Sequence, residues 1–228
     1  MFIIEMCGLP GSGKSTVIAA VSDALQQQGY RVADRNAIYY LGCRSRRKGI
    51  AAWKMVFKFR HYGLYRKIIA VNRNHAKGLV SLRYAFRLMF FFSQLEEAEK
   101  KARFDVALMD EGLAQYTSAL ADQSAITDSA ETEPLLSVMD HTLPRRWVVY
   151  CKVSVAEAAK RIQSRSAVAR RFNPGLGVEE LEKRLRDRET SLNAVCCHGS
   201  SLVLDMEQPI HASEEKLMSF VRQVALEE

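Results

Sequence analysis

Five short apolar runs punctuate the chain, and the stretches between them carry apolar residues at helical spacing. Phe2 to Met6 leads straight into a glycine-rich loop, the pattern of a buried parallel strand. Lys14 to Gln28 has Val17, Ile18, Val21 and Leu25 on one stripe and Gly29 placed as a C-cap, which predicts a helix. Tyr30 to Ala33 predicts a second strand ending at Asp34, and Phe104 to Met109 a third ending at Asp110. Trp147 to Cys151 predicts a fourth after the turn at Pro144, and Leu202 to Leu204 a fifth. The long stretch between the second and third strands reads as two or three helices broken near Gly49, Gly63 and Gly78. Val155 to Ser164 predicts a helix behind the fourth strand. Ser213 to Leu226 closes the pattern as an amphipathic helix with Leu217, Phe220, Val221 and Val224 facing inward. Ala119 to Thr132 is small and polar and reads as a loop or a frayed helix. Apolar strands alternating with helices make an α/β protein with a parallel sheet covered on both faces, and ligands of such sheets lie at the carboxyl ends of the strands.

Length and composition narrow the class. At 228 residues the chain fits one domain with an elaboration, and 48% hydrophobic against 26% charged residues is ordinary for a globular protein. The run Leu88 to Phe92 is far shorter than the about 20 residues a membrane helix needs. The apolar N-terminus lacks a basic n-region and a small-residue cleavage site, so it reads as a core strand and not as a signal peptide. Cys7, Cys43, Cys151, Cys196 and Cys197 are odd in number and lack metal-type spacing, which fits a reducing cytoplasm better than a disulfide scaffold. Cys196, Cys197 and His198 are adjacent, a poor arrangement for converging on one ion.

Charge changes the picture more. The net charge is +7, yet Arg35 to Leu95 holds fourteen Lys or Arg and no Asp or Glu. The remaining nineteen basic residues face twenty-six acids, a net of −7. Such a dipolar chain directs its basic part at an anionic substrate, a nucleic acid, an anionic membrane surface or another protein. Trp53, Phe57, Phe59, Tyr62, Tyr65, Tyr84 and Phe86 are interleaved with these charges, and Arg44, Arg46, Arg47 and Lys48 form the densest knot. These four, with Arg35, are the candidate acceptor-binding residues.

Gly8-Leu9-Pro10-Gly11-Ser12-Gly13-Lys14-Ser15 matches G-x-x-x-x-G-K-[ST] between a predicted strand and a predicted helix. Glycines at Gly8, Gly11 and Gly13 let the backbone wrap a phosphate closely, with Ser12 and Thr16 beside it on the loop and the first helical turn. Lys14 is suited to the β- and γ-phosphoryl oxygens of ATP, and the Ser15 hydroxyl to Mg²⁺. Asp110, ending an apolar strand, is the candidate second Mg²⁺ group. Asp34, ending the second strand, is suited to take a proton from an attacking hydroxyl, and Glu111 is its rival.

These features resemble the P-loop nucleoside and nucleotide kinase superfamily, with thymidylate kinases and their relatives as the suggested group. The resemblance implies a three-layer sandwich with a five-stranded parallel sheet in the order 2-3-1-4-5 and a helical, basic insertion between strands 2 and 3. It implies one kinase-like domain over residues 1–228, an acceptor-side excursion over 35–103 and a lid over 161–177. Asp34-Arg35 stands where the superfamily carries an acid after the second strand. Arg161, Arg165, Arg170 and Arg171 stand where it carries lid arginines that stabilise the charge of the transferring phosphoryl group. Met206 to Pro209 is then the loop against the nucleotide base. The sequence departs from the pattern at Asp110-Glu111, where an arginine is expected after the first acid. Arg184, Arg186 and Arg188 alternate with Glu182, Asp187 and Glu189 and read as surface pairs.

The expected activity is ATP-dependent phosphoryl transfer to an anionic small molecule, nucleotide-like or another phosphorylated metabolite. A nucleic-acid end kinase, a kinase of a lipid-linked substrate at the inner face of a membrane, and an ATPase using Glu111 to activate water stay open. A dimer and a choice of GTP over ATP stay open as well. An L-S-G-G-Q-like signature is missing, and Tyr150-Cys151-Lys152-Val153 occupies the place of a GTPase Asn-Lys-x-Asp motif.

Overall fold

The central strand β1 (Phe2–Gly8) is buried from Ile3 onward, because it pairs in parallel with β3 (Val106–Met109) on one side and β4 (Arg146–Lys152) on the other. In this computed structural model the described residues are 1–39, 41, 63–68, 79–123, 129–164, 177–196 and 200–226. β2 (Val32–Ala33) pairs with β3 and β5 (Ser200–Asp205) with β4, so the sheet is all-parallel in the order β2-β3-β1-β4-β5. Strands flanked on both sides and covered on both faces need continuous apolar runs, which is why the short hydrophobic stretches were strong strand signals.

The helices are α1 (Lys14–Gln27), α2 (Arg35–Tyr39), α3 (63–68), α4 (Leu79–Lys100), α5 (Leu113–Gln123), α6 (Ser129–Thr142), α7 (Val155–Ser164), α8 (Val178–Cys196) and α9 (Ile210–Leu226). Two apolar cores lie against the sheet. In one, Ile4, Leu108 and Val149 meet Val17, Val21 and Leu25 of α1, Ile162 of α7, Leu192 of α8 and Leu217 and Val221 of α9. In the other, Ile3, Ala107 and Met109 meet Ile38 of α2, Leu64 and Ile68 of α3, Phe91 and Phe92 of α4, Leu120 of α5 and Met139 of α6. Phe91 and Phe92 are fully buried, each contributing about 1.5–3 kcal/mol of transfer free energy.

Of the loop and the frayed helix expected over 119–132, the structure has helix at both ends: α5 runs to Gln123 and α6 starts at Ser129, with 124–128 outside the described residues. Small residues such as Ser118, Ala119 and Ala121 are buried, allowing α5 to pack against neighbouring helices. The interleaved aromatics are core residues where they are described. Tyr65 is buried and its hydroxyl shares a hydrogen bond of 2.8 Å with the Ser93 hydroxyl, while Tyr84 and Phe86 pack against the same core. They build the insertion's own interior. Trp53, Phe57, Phe59 and Tyr62, and the Arg44, Arg46, Arg47 and Lys48 knot, lie outside the described residues. Among the described residues no helix is long and apolar enough to cross a membrane.

Candidate active site

The loop between β1 and α1 has a backbone that side chains would spoil. Gly11 has φ 86, and a Cβ there would lie 2.7 Å from the Ala158 carbonyl oxygen; Gly13 has φ 96 and forms the N-cap of α1. No side chain caps α1, so its first-turn N–H groups point at whatever occupies the loop. Lys14 curls back, its Nζ donating to the Gly8 carbonyl at 2.9 Å, the Leu9 carbonyl at 2.9 Å and Ser12 Oγ at 3.1 Å. Burial pushes the Lys14 ammonium below its usual pKa. Ser12 is buried within the loop, and Thr16, in the first turn of α1, donates its N–H to the Gly13 carbonyl at 3.0 Å.

The parallel register brings the ends of β2 and β3 beside this loop. Ser15 Oγ donates to Asp110 Oδ2 at 2.8 Å, so a hydroxyl and a carboxylate converge on one exposed point. That oxygen pair fits a hard divalent cation that keeps most of its water and phosphate ligands. Among the described residues no group of three His, Cys, Asp or Glu side chains forms an all-protein metal cage. Asp34 is exposed and caps α2, accepting the Ala37 N–H on Oδ1 at 2.7 Å. With Ser15, Asp110, Arg35, Ser22 and Asp23 it lines a cleft of about 450 Å³. Arg35 forms an ion pair with Glu111, across a sequence separation of 76 residues. Burial disfavours the Arg35 charge, but the Glu111 and Asp110 carboxylates outweigh it and raise its pKa. The guanidinium missing after Asp110 in the sequence is therefore supplied to Glu111 by the first residue of α2, just past the neighbouring strand.

Of the four arginines expected in a lid, Arg161 alone is among the described residues; Arg165, Arg170 and Arg171 are not. Arg161 is engaged on three sides, donating to Glu157 at 2.8 Å, to the Ser12 carbonyl at 3.4 Å and to the Met206 carbonyl at 2.9 Å. It ties α7 to the phosphate loop and to the loop after β5, where Met206 also approaches Gly13.

Three residues near the site were not singled out for it from the sequence. Glu5 is fully buried in β1, and its carboxylate accepts the Leu113 and Ala114 N–H groups, each at 3.0 Å, and Arg146 Nη2 at 3.0 Å. It caps α5 and fixes the turn after Glu111; a Cβ on Gly112 would lie 2.5 Å from Glu5 Cδ. Gln115, on the first turns of α5, accepts the Gly8 N–H at 3.2 Å. Arg188 corrects the surface-pair expectation. Arg184 pairs with Glu180 and Arg186 with Glu182, but Arg188 lines a cavity of about 250 Å³ with Pro10 and Asp122, and its charge helps to lower the Lys14 pKa. Cys7, Cys151 and Cys196 are buried; burial raises the Cys7 thiol and takes Cys151 to about 12, which makes Cys7 and Cys151 poor nucleophiles. Cys197 and His198 lie outside the described residues.

Comparison with solved structures finds two forms of deoxyadenosine kinase from M. mycoides. The form with products dCMP and a flexible dCDP bound is 17% identical, with 97% of this chain and 99% of that one covered at a TM-score of 0.52, a likeness of fold alone. The form with bound dATP is 14% identical, with 97% and 100% covered at a TM-score of 0.48. Comparison with curated protein sequences finds no match. A family model described as an AAA domain matches residues 3–188, which takes in the phosphate loop, β1 to β4 and both strand-end acids. The chain is accordingly a member of this AAA-domain family of P-loop NTPases.

Proposed function

We propose that this protein transfers the γ-phosphoryl group of ATP to a hydroxyl of an anionic small molecule. The observation that carries this reading is the Ser15–Asp110 hydrogen bond, with the Arg35–Glu111 ion pair immediately beside it. The loop N–H groups and Lys14 hold the phosphates, and Lys14 exchanges its carbonyl partners for phosphoryl oxygens. Ser15 and Asp110 would hold Mg²⁺, which when bound supplies charge neutralisation across the β- and γ-phosphates. The acceptor oxygen bonds to the γ-phosphorus as the bond to the bridging oxygen breaks, and ADP leaves with that electron pair. The hydroxyl proton passes to a carboxylate. Asp34 is assigned this role, because it lines the cleft while only its Oδ1 is seen to cap α2, whereas Glu111 is held by Arg35. Arg161, with Arg165, Arg170 and Arg171 of the lid segment, supplies cations around the transferring group.

The test is ADP release with Mg²⁺ and ATP against a panel of nucleosides, nucleoside monophosphates, sugar phosphates and 5′-hydroxyl oligonucleotides, with product phosphorylation checked by mass spectrometry. Transfer to a small anionic member supports the reading. ADP release that no acceptor accelerates, with only free phosphate produced, overturns it in favour of an ATPase.

A further inference from the structure

The strand that leads into the phosphate loop outruns one of its neighbours. Pairing of β1 with β3 stops at Glu5 opposite Met109, whereas pairing with β4 continues to Gly8 opposite Cys151. Backbone N–H groups alternate in direction along β1: that of Phe2 donates to the Asp105 carbonyl on the β3 side, and that of Ile3 to the Arg145 carbonyl on the β4 side. The Gly8 N–H therefore points past the end of β3, and the Gln115 side chain accepts it there at 3.2 Å. Gln115 is the third residue of α5, whose first intrahelical bond runs from the Tyr116 N–H to the Gly112 carbonyl. A glutamine at that position commonly turns back to cap its own helix. Here Glu5 caps α5, and Gln115 reaches across to the phosphate loop.

A backbone N–H only donates, so the atom facing Gly8 is the carboxamide oxygen and the NH₂ is the other corner. The two corners are about 2.2 Å apart, which keeps the NH₂ within about 5.4 Å of the Gly8 nitrogen. Gln115 is 5% exposed, and among the described residues Gly8 is its side chain's one hydrogen-bond partner. Two donors on a nearly buried amide call for an acceptor. Their surroundings indicate which. The Gly8 carbonyl accepts Lys14 Nζ at 2.9 Å, and Asp110, on the turn into α5, accepts the Ser15 hydroxyl at 2.8 Å. A triphosphate whose terminal group meets both Lys14 and a cation at Ser15 and Asp110 brings its γ-oxygens to this corner. A diphosphate ends one group short of it.

We propose that the Gln115 carboxamide reads the γ-phosphoryl group: its oxygen fixes Gly8, and its NH₂ donates to a γ-oxygen. This rests on the phosphate-loop part of the reading above and holds whether the group passes to an acceptor or to water. No covalent bond forms or breaks at Gln115. Its effect is to separate triphosphate from diphosphate.

The experiment titrates the full chain with Mg·ADP and with the Mg²⁺ complex of β,γ-imido ATP, by calorimetry, and takes the ratio of the two affinities. Gln115→Glu keeps an acceptor for Gly8 but puts a charged oxygen where the donor stood. Gln115→Met fills a similar volume with neither group. Gln115→Glu is expected to leave ADP affinity within about threefold of wild type and to lower the triphosphate-to-diphosphate ratio at least about tenfold, the usual loss for a charge-assisted bond. Gln115→Met should weaken ADP about two- to tenfold through Gly8, and lower the ratio by roughly two- to tenfold more. A residue that only shapes the loop would weaken both nucleotides alike. An unchanged ratio in either variant with native circular dichroism overturns the proposal; if the glutamate variant does not fold, the methionine ratio decides. If the wild-type chain binds neither nucleotide, the phosphate-loop reading fails and the proposal falls with it. If the ratio falls as expected but no acceptor is phosphorylated, the kinase reading fails and the proposal stands.

Discussion

Replacing Arg146 by methionine is the perturbation whose outcome follows most directly from the structure. The Arg146 and Glu5 side chains are 1% and 0% exposed, and their ion pair of 3.0 Å joins β4 to β1 at the centre of the sheet. Asp140, the other partner of Arg146, is 56% exposed. Methionine fills much of the arginine's volume but strands the Glu5 carboxylate, which keeps only the Leu113 and Ala114 N–H groups. Breaking one side of a buried pair costs about 3–5 kcal/mol, against a total stability of about 5–15 kcal/mol. The melting temperature should fall by roughly 6–20 °C for a chain of this length. Asp140→Asn should cost under about 1 kcal/mol, because that partner is in water. Urea unfolding followed by tryptophan fluorescence, to which Trp147 beside Arg146 contributes, measures both. A double-mutant cycle with Glu5→Gln should give a coupling of at least about 2 kcal/mol, since the double variant no longer buries a lone charge. Additive single effects, or an Arg146→Met protein within about 1 kcal/mol of wild type, would refute the claim that the pair acts as one buried unit.

Lys14→Ala should abolish turnover in a folded protein, because even one lost charge-stabilising donor costs at least about 10²–10³-fold; wild-type ADP release from a variant with native circular dichroism would remove the phosphate loop from the chemistry. Single-turnover transfer should fall about 10²–10⁴-fold in Asp34→Asn and less in Glu111→Gln, and the reverse order would reassign the base to Glu111. Arg31 bonds hold the Asp105 carboxyl down at about 2, below its unfolded value, so its stabilisation is present above about pH 4 and is lost as pH falls towards 2. Asp105→Asn should therefore flatten that acid limb by less than about 1 kcal/mol at this exposed pair, an effect checked by melting curves from about pH 2 to 6 in low and high salt.

The inner strands β1, β3 and β4 were legible because each carries a short apolar run, and a run buried on both faces has little else it can be; the edge strands β2 and β5 carried shorter ones. The phosphate loop was legible because its glycines, lysine and serine must be contiguous to surround one phosphate. What the sequence hid was contact across the fold. Arg35 and Glu111 meet only because β2 and β3 are parallel neighbours and α2 begins two residues after β2 ends. Glu5 was hidden inside its apolar run, although an acid in a fully buried strand demands a partner. Arg188 looked like its neighbours Arg184 and Arg186, which alternate with acids along the chain. On α8, however, it shares the stripe of Leu181, Leu185, Leu192 and Val195, and helical spacing would have pointed it inward. The region from 119 to 132 was left between a loop and a frayed helix because small residues that favour close helix packing also favour loops.

The three bonds that Lys14 makes to its own loop bear on how a nucleotide arrives. On the phosphotransferase reading, the cation that meets the triphosphate is the same one that ties Gly8, Leu9 and Ser12 together. Docking is then a trade of oxygen partners around a fixed ammonium, with little chain left to order. An entry step of that kind leaves encounter governed by long-range attraction, with a small heat-capacity change, and leaves slow motions to later events in the cycle.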